Sequence, residues 1–169
     1  MERLFTPWRL SYLQGIRDDA RCVFCAATDA ADDARVYILH RGATTFVILN
    51  IFPYSNGHIM VVPRRHVSSL AEASPAERHE LIDTAARCEQ LLQTAYQPDG
   101  MNMGINLGRA AGAGILGHLH LHIVPRWAGD TNFATVIGET RFIPETPRQT
   151  YDRLSPLFRT SEEAGEHEC

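Results

Sequence analysis

Three histidines at every second position mark the stretch Gly117-His118-Leu119-His120-Leu121-His122-Ile123-Val124-Pro125-Arg126. Strict alternation of this kind predicts a half-buried β-strand. His118, His120 and His122 then line one face, and Leu119, Leu121 and Ile123 the other. Neighbouring imidazoles on that face would sit about 6.5–7 Å apart, from a rise of about 3.3 Å per residue. One histidine on a strand is ordinarily a hydrogen-bonded structural residue, but three in register against an apolar backing ask for a chemical explanation. An imidazole nitrogen is a competent nucleophile toward phosphorus when an acceptor on its other nitrogen fixes the tautomer. His120, with a histidine on each side, is the expected nucleophile. His122 is expected to orient a phosphate or to donate a proton to a leaving oxygen. His58, after Asn56-Gly57 at the head of another predicted strand, is expected to fix the tautomer or orientation of the row.

The loop that feeds this row, Gly108 to Gly117, holds four glycines (Gly108, Gly112, Gly114, Gly117). Glycines let backbone N–H groups approach an anion closely, so the placement suggests phosphate held against imidazole. The competing chemistry is a metal ion. Three histidines on one face could hold a catalytic zinc with an open fourth position. Cys22 and Cys25 form a C-x-x-C pair which, with His66 and His118, would make a closed and therefore structural Cys₂His₂ set. A redox pair or two inert thiols are the other readings of that pair.

Length and composition bound these choices. The chain has 169 residues, enough for one domain with a real core. It carries 44% hydrophobic and 21% charged residues and a formal net charge of -4, which argues against general nucleic-acid binding. All 16 cationic side chains are arginines, so lysine Schiff-base and P-loop lysine chemistries are excluded. Neither a membrane span nor a signal peptide is indicated, and the expected setting is cytoplasmic.

The elements that must position the histidines follow in order. Residues 1–21 read as an arm, and Ala26 to Ala34 as a loop. Strands are expected over Val36–His40, Thr44–Asn50, His58–Pro63 and Met101–Leu107, with the histidine row as the fifth. Ser74-Pro75-Ala76-Glu77 combines an N-cap, a first-turn proline and a capping-box glutamate. Leu81, Ala85, Cys88, Leu92 and Ala95 then recur at helical spacing, predicting one long amphipathic helix ending near Tyr96 before Pro98-Asp99-Gly100. A C-terminal helix is expected over residues 147–158 and a loose tail over 161–169. The fold class is α+β: a mostly antiparallel sheet of about five strands with one long helix against it.

His118-Leu-His120-Leu-His122-Ile-Val with Pro125-Arg126, and Asn50 followed by His58 in the block Leu49 to Pro63, resemble the two signature blocks of the histidine triad (HIT) family. The resemblance covers about residues 20–130. It implies a nucleotidyl hydrolase or transferase that acts at an α-phosphate through a covalent nucleotidyl-histidine at His120, with His58 and His122 in support. It further implies a ribose contact at Asn50, a phosphate-side segment at Asn106, Gly112 and Gly114, structural zinc on Cys22, Cys25, His66 and His118, and a homodimer formed through a shared sheet and the long helix. Gly114 stands where many members carry a polar side chain, leaving only backbone contact there. Pro125 to Phe133, with Thr6-Pro7-Trp8-Arg9, looks like the bacterial branch acting on diadenosine tetraphosphate; Trp127 could stack on an adenine or simply pack at a strand end. Three other functions are a nucleoside phosphoramidate hydrolase, a zinc-stabilised nucleotide-binding module without turnover, and a metallohydrolase with zinc in the row.

Overall fold

The computed structural model describes residues 21–130 and 143–165. The arm over 1–20 and the end of the tail over 166–169 lie outside the described residues. Ten elements frame the site. Two short helices, α1 (Val23–Thr28) and α2 (Asp33–Val36), precede strands β1 (Ile38–Arg41), β2 (Thr45–Leu49) and β3 (Ile59–Pro63). The long helix α3 (Pro75–Tyr96) leads into β4 (Gly100–Ile105), a 3₁₀ turn (Arg109–Ala111), β5 (Leu121–Arg126) and α4 (Pro147–Gly165). The five strands form one sheet in the order β1-β2-β3-β5-β4, every neighbouring pair antiparallel.

Both faces of the sheet centre are covered, which explains why β2 and β3 are buried at every residue. Val47, Leu49, Ile59, Val61, Leu121 and Ile123 share a core with Leu81, Cys88 and Leu92 of α3 and Leu154 and Phe158 of α4. Phe46, Ile48, Met60 and Val62 face the opposite way, onto Phe24 and Ala27 of α1. His122 pairs with Met60 across β3 and β5, so it faces the α1 side. The apolar half of the histidine run therefore anchors the sheet to the long helix, while the histidines turn to the other face.

Helix α3 starts as its sequence dictates. Ser74 accepts from the Glu77 backbone and Glu77 accepts from the Ser74 backbone, with Pro75 in the first turn. It ends where Gln97 adopts a left-handed conformation, φ 46°.

Several expected boundaries move. The stretch expected as a loop keeps its middle, residues 29–32, but its two ends belong to α1 and α2. Asp32 caps α2 by accepting from Ala34 and Arg35, and Arg41 donates to the carbonyls of Ala27, Thr28 and Ala30 at the end of α1. β1 consequently begins at Ile38 rather than Val36, and β4 ends at Ile105 rather than Leu107. Helix α4 runs to Gly165, past the expected end at 158 and into the stretch expected as a tail. The largest correction concerns the histidine row. β5 begins only at Leu121, because its partner Ile105 is the last residue of β4 and Val61 its last partner on β3. His118 and His120 precede the ladder, and there the chain is held instead by the Leu119 N–H donating to the Val67 carbonyl at 2.6 Å.

Candidate active site and metal centre

Three of the four central histidines meet a backbone group whose role is unambiguous, and the fourth, His122, follows from His58. The Tyr54 backbone N–H lies 3.1 Å from His58 Nδ1. A backbone N–H only donates, so His58 Nδ1 accepts and its proton sits on Nε2. That Nε2–H points at His122 Nδ1, 3.0 Å away. His122 Nδ1 therefore accepts, and its own proton is on Nε2. His120 Nδ1 lies 2.7 Å from the His118 carbonyl oxygen, so Nδ1 donates and Nε2 carries the lone pair. His118 Nε2 lies 2.8 Å from the Pro63 carbonyl oxygen, which leaves the lone pair on Nδ1.

The rings of His120 and His122 meet edge to face, centroids 4.8 Å apart, and those of His58 and His122 stand 5.1 Å apart. The His120–His122 separation is closer than the spacing of about 6.5–7 Å expected along a flat strand. Burial keeps all four imidazoles neutral. It pushes His58 down to about 3, helped by His122 and His120, and His122 down to about 4, helped by His120. His120 and His118 are also depressed by burial, against the opposing pull of the carbonyls that accept their protons. The two touching rings thus offer one unprotonated nitrogen, His120 Nε2, and one N–H donor, His122 Nε2: a nitrogen able to act as a nucleophile and a group able to bind a phosphoryl oxygen.

Asn50 follows β2, with its Oδ1 accepting from the Phe52 N–H at 2.9 Å. Its Nδ2 stands 3.4 Å from His58 Nε2, and since both are donors in the tautomer set by Tyr54 this is a contact and not a hydrogen bond. Asn106 follows β4 and is half-buried. Gly108 and Gly112 adopt positive φ, 80° and 83°, which a side chain would strain. The Gly112 N–H donates to the Arg109 carbonyl at 3.1 Å, so it closes the loop's own turn. Gly114 is half-buried. Trp127 presents its ring edge-on to Tyr96 at 6.3 Å, a packing contact that leaves its substrate role to experiment.

On the far side of His120, the sequence-expected ligand set is assembled. One donor atom from each of Cys22, Cys25, His66 and His118 lies within 4.8 Å of all the others. Cys22 Sγ is 3.3 Å and Cys25 Sγ 3.7 Å from His118 Nδ1, and Cys25 Sγ is 3.2 Å from His66 Nδ1. Tetrahedral zinc, with bonds of about 2.3 Å to sulfur and 2.0–2.1 Å to nitrogen, separates sulfur and nitrogen ligands by about 3.5 Å. The residues fit such an ion, and His118 offers the nitrogen that Pro63 leaves unprotonated. His66 reaches the cluster because Arg65 is clamped by Glu77, a carboxyl that these bonds hold at about 2. Gly117 also passes close to it, where an added Cβ would sit 3.3 Å from His66 Nε2. Four donors converge on one point with His118 among them, so the row is divided: His118 belongs to this cluster, and His120, His122 and His58 to the other.

Sequence reasoning missed three participants. Phe24, inside the C-x-x-C, packs against both His118 (5.3 Å) and His120 (5.2 Å); a buried aromatic between two metal-spaced cysteines was a readable signal. The Tyr54 N–H and the Pro63 carbonyl are backbone groups, for which residue type gives no signal.

A fold of this topology carrying a split histidine row defines a class, and the match is direct: the chain belongs to the HIT domain family, whose model matches residues 33–129. The chain is 36% identical over 157 residues to the AP-4-A phosphorylase of Mycobacterium tuberculosis, covering 89% of this chain and 80% of that one. It is 29% identical over 126 residues to the asymmetrical bis(5'-nucleosyl)-tetraphosphatase of Schizosaccharomyces pombe, covering 75% of this chain and 65% of that one. Among solved structures it resembles a zinc-bound histidine triad family protein from Mycobacterium smegmatis, with a TM-score of 0.67 and 28% identity, covering 85% of this chain and 96% of that one.

Proposed function

We propose that the protein is a nucleotidyl transferase that cleaves dinucleoside polyphosphates, diadenosine tetraphosphate foremost, through a nucleotidyl-His120 intermediate. The observation that carries this reading is that His120, whose Nε2 is unprotonated because the His118 carbonyl holds Nδ1, meets edge to face the ring of His122, whose proton is on Nε2. His120 Nε2 attacks the α-phosphorus; the P–N bond forms as the bond to the bridging oxygen breaks, and the remaining nucleotide leaves with that oxygen. His122 donates a hydrogen bond to the phosphoryl or leaving oxygen, and His58 keeps His122 in the donor tautomer. An acceptor oxygen then attacks the same phosphorus and releases His120. Asn50 is the proposed ribose contact, and Asn106 with the backbone of Gly112 and Gly114 the proposed phosphate cradle. Trp127 is the proposed adenine platform.

The relationship to an AP-4-A phosphorylase supports inorganic phosphate as the acceptor. Zinc is the proposed ion on Cys22, Cys25, His66 and His118, supported by the zinc-bound relative; with four protein ligands it organises the fold and leaves no open position for chemistry. A second copy of the chain is the proposed partner. β4 is an edge strand, and the open groove of about 380 Å³ beside it carries Ile82 and Met103, which are 60% and 41% exposed. A cytoplasmic setting suits reduced thiols.

Product analysis tests the reading. Diadenosine tetraphosphate with inorganic phosphate is expected to give ADP and ATP, and His120→Asn to give neither. AMP and ATP formed without phosphate would make water the acceptor. No product from this substrate or from adenosine phosphoramidate would overturn the catalytic reading.

A further inference from the structure

One carboxylate ties the C-terminal segment to the histidines. Glu145, at the approach to α4, accepts from the Tyr96 hydroxyl at 2.7 Å, from Thr150 at 3.2 Å and from Arg153 at 2.8 Å. Its own backbone N–H donates to Asn56 Oδ1 at 3.4 Å. The side chain is 14% exposed, so these bonds form largely out of water. Arg153 also lies over the Tyr96 ring, 5.2 Å from its centroid. Burial and the neighbouring carboxylate raise the Tyr96 hydroxyl well above its ordinary value, so it stays a donor.

The residues that Glu145 holds are those that hold the loop Pro53 to Gly57. Asn56 is in that loop. Gly57, at φ 72°, lies beneath Tyr96, so that an added Cβ would come within 2.8 Å of the ring. On its other side the loop is pinned by Ser55 Oγ, which donates to the Pro125 carbonyl at 2.7 Å. Between these fastenings sits the Tyr54 N–H that assigns the His58 tautomer. Tyr96 in addition backs Trp127 edge-on.

We infer that Glu145 is a positioning residue for the reaction. Its carboxylate fixes Tyr96 against Gly57 of the 53–57 loop while its backbone N–H holds Asn56 within that loop. The loop keeps the Tyr54 N–H on His58 Nδ1, and His58 in turn keeps the proton of His122 on Nε2. The consequence for catalysis rests on the role proposed above for His122, but the tautomer chain itself is a property of the protein without substrate.

The test therefore has two arms. Nitrogen NMR of ¹⁵N-histidine-labelled protein reads the tautomers of His58 and His122 directly, and turnover of diadenosine tetraphosphate is measured on the same samples. In the unaltered protein both rings are expected in the Nε2–H form. Glu145→Ala is expected to shift both toward mixed tautomers and to lower kcat about tenfold, with Tyr96→Phe following in the same direction by a smaller factor. Arg148→Ala removes another ion pair of α4, to Asp152, away from the loop, and is expected to leave both readouts unchanged. If Glu145→Ala fails to fold, Tyr96→Phe decides alone. Tautomers and kcat that match those of Arg148→Ala would overturn the inference. An inactive unaltered protein would count against the proposed reaction, while the NMR arm would still decide the role of Glu145.

Discussion

His118 and His120 are two residues apart, both buried, both neutral and both in contact with Phe24, yet they offer opposite nitrogens. His118 gives its Nε2–H to the Pro63 carbonyl and turns Nδ1 to the two thiols. His120 gives its Nδ1–H to the His118 carbonyl and keeps Nε2 unprotonated. The side chains are chemically identical; the difference is which nitrogen a backbone carbonyl occupies. A candidate metal ligand and a candidate nucleophile thus differ, in one repeated residue, by which ring nitrogen a backbone carbonyl occupies. The two are also joined in series, because the residue that faces the thiols supplies the carbonyl that orients the nucleophile.

The sharpest way to break this pairing is to remove one member and watch the other. His120→Asn deletes the nucleophile and leaves the ligand set intact. Turnover is expected to fall on the order of 10⁴-fold, with one equivalent of zinc retained by metal analysis. A parallel loss of zinc would mean that the two halves are one site. Cys25→Ser makes the reverse cut: zinc is expected to dissociate and the melting temperature to drop, while kcat falls only about tenfold, because the His118 carbonyl still holds His120. A variant as inactive as His120→Asn would place the ion in the chemistry itself. A third effect is in pH. His58 and His122 are depressed to about 3 and about 4 in the folded protein and titrate near their ordinary value when unfolded. Below that value the unfolded chain binds more protons, so stability is full at neutral pH and declines as pH falls from about 6.5, by up to about 1.4 kcal/mol per unit for each histidine. Denaturant titrations at pH 7 and pH 5 measure this, and equal midpoints would contradict the neutral, buried assignment.

What could be read in the sequence follows the same division. Leu119, Leu121 and Ile123 were placed correctly on the core side by their alternation, and helix α3 by its capping box. Of the four metal-ligand candidates, the C-x-x-C pair is legible from its spacing, whereas His66 lies 41 residues beyond Cys25 and enters the set through the family resemblance and the fold. The straight strand through His118 was not, because β4 ends at Ile105 and the pairing with β3 stops at Val61 although β3 runs on to Pro63, a tertiary fact that alternation does not encode. The tautomers were equally hidden, since the Tyr54 N–H and the carbonyls of Pro63 and His118 belong to the backbone. The brace at Glu145 depends on a contact with Asn56 across 89 residues of chain.

The central claim is that His120 Nε2 is the atom that takes the nucleotide. Its most direct test is to quench the protein with diadenosine tetraphosphate before an acceptor is added, then map the adduct by mass spectrometry under conditions that preserve phosphoramidates. The expected result is a single nucleoside monophosphate on the peptide containing His120, acid-labile, absent from His120→Asn and discharged to ADP when phosphate is supplied. A nucleotide on His122 or His58, or products formed at full rate with no protein-bound nucleotide at any time, would contradict it.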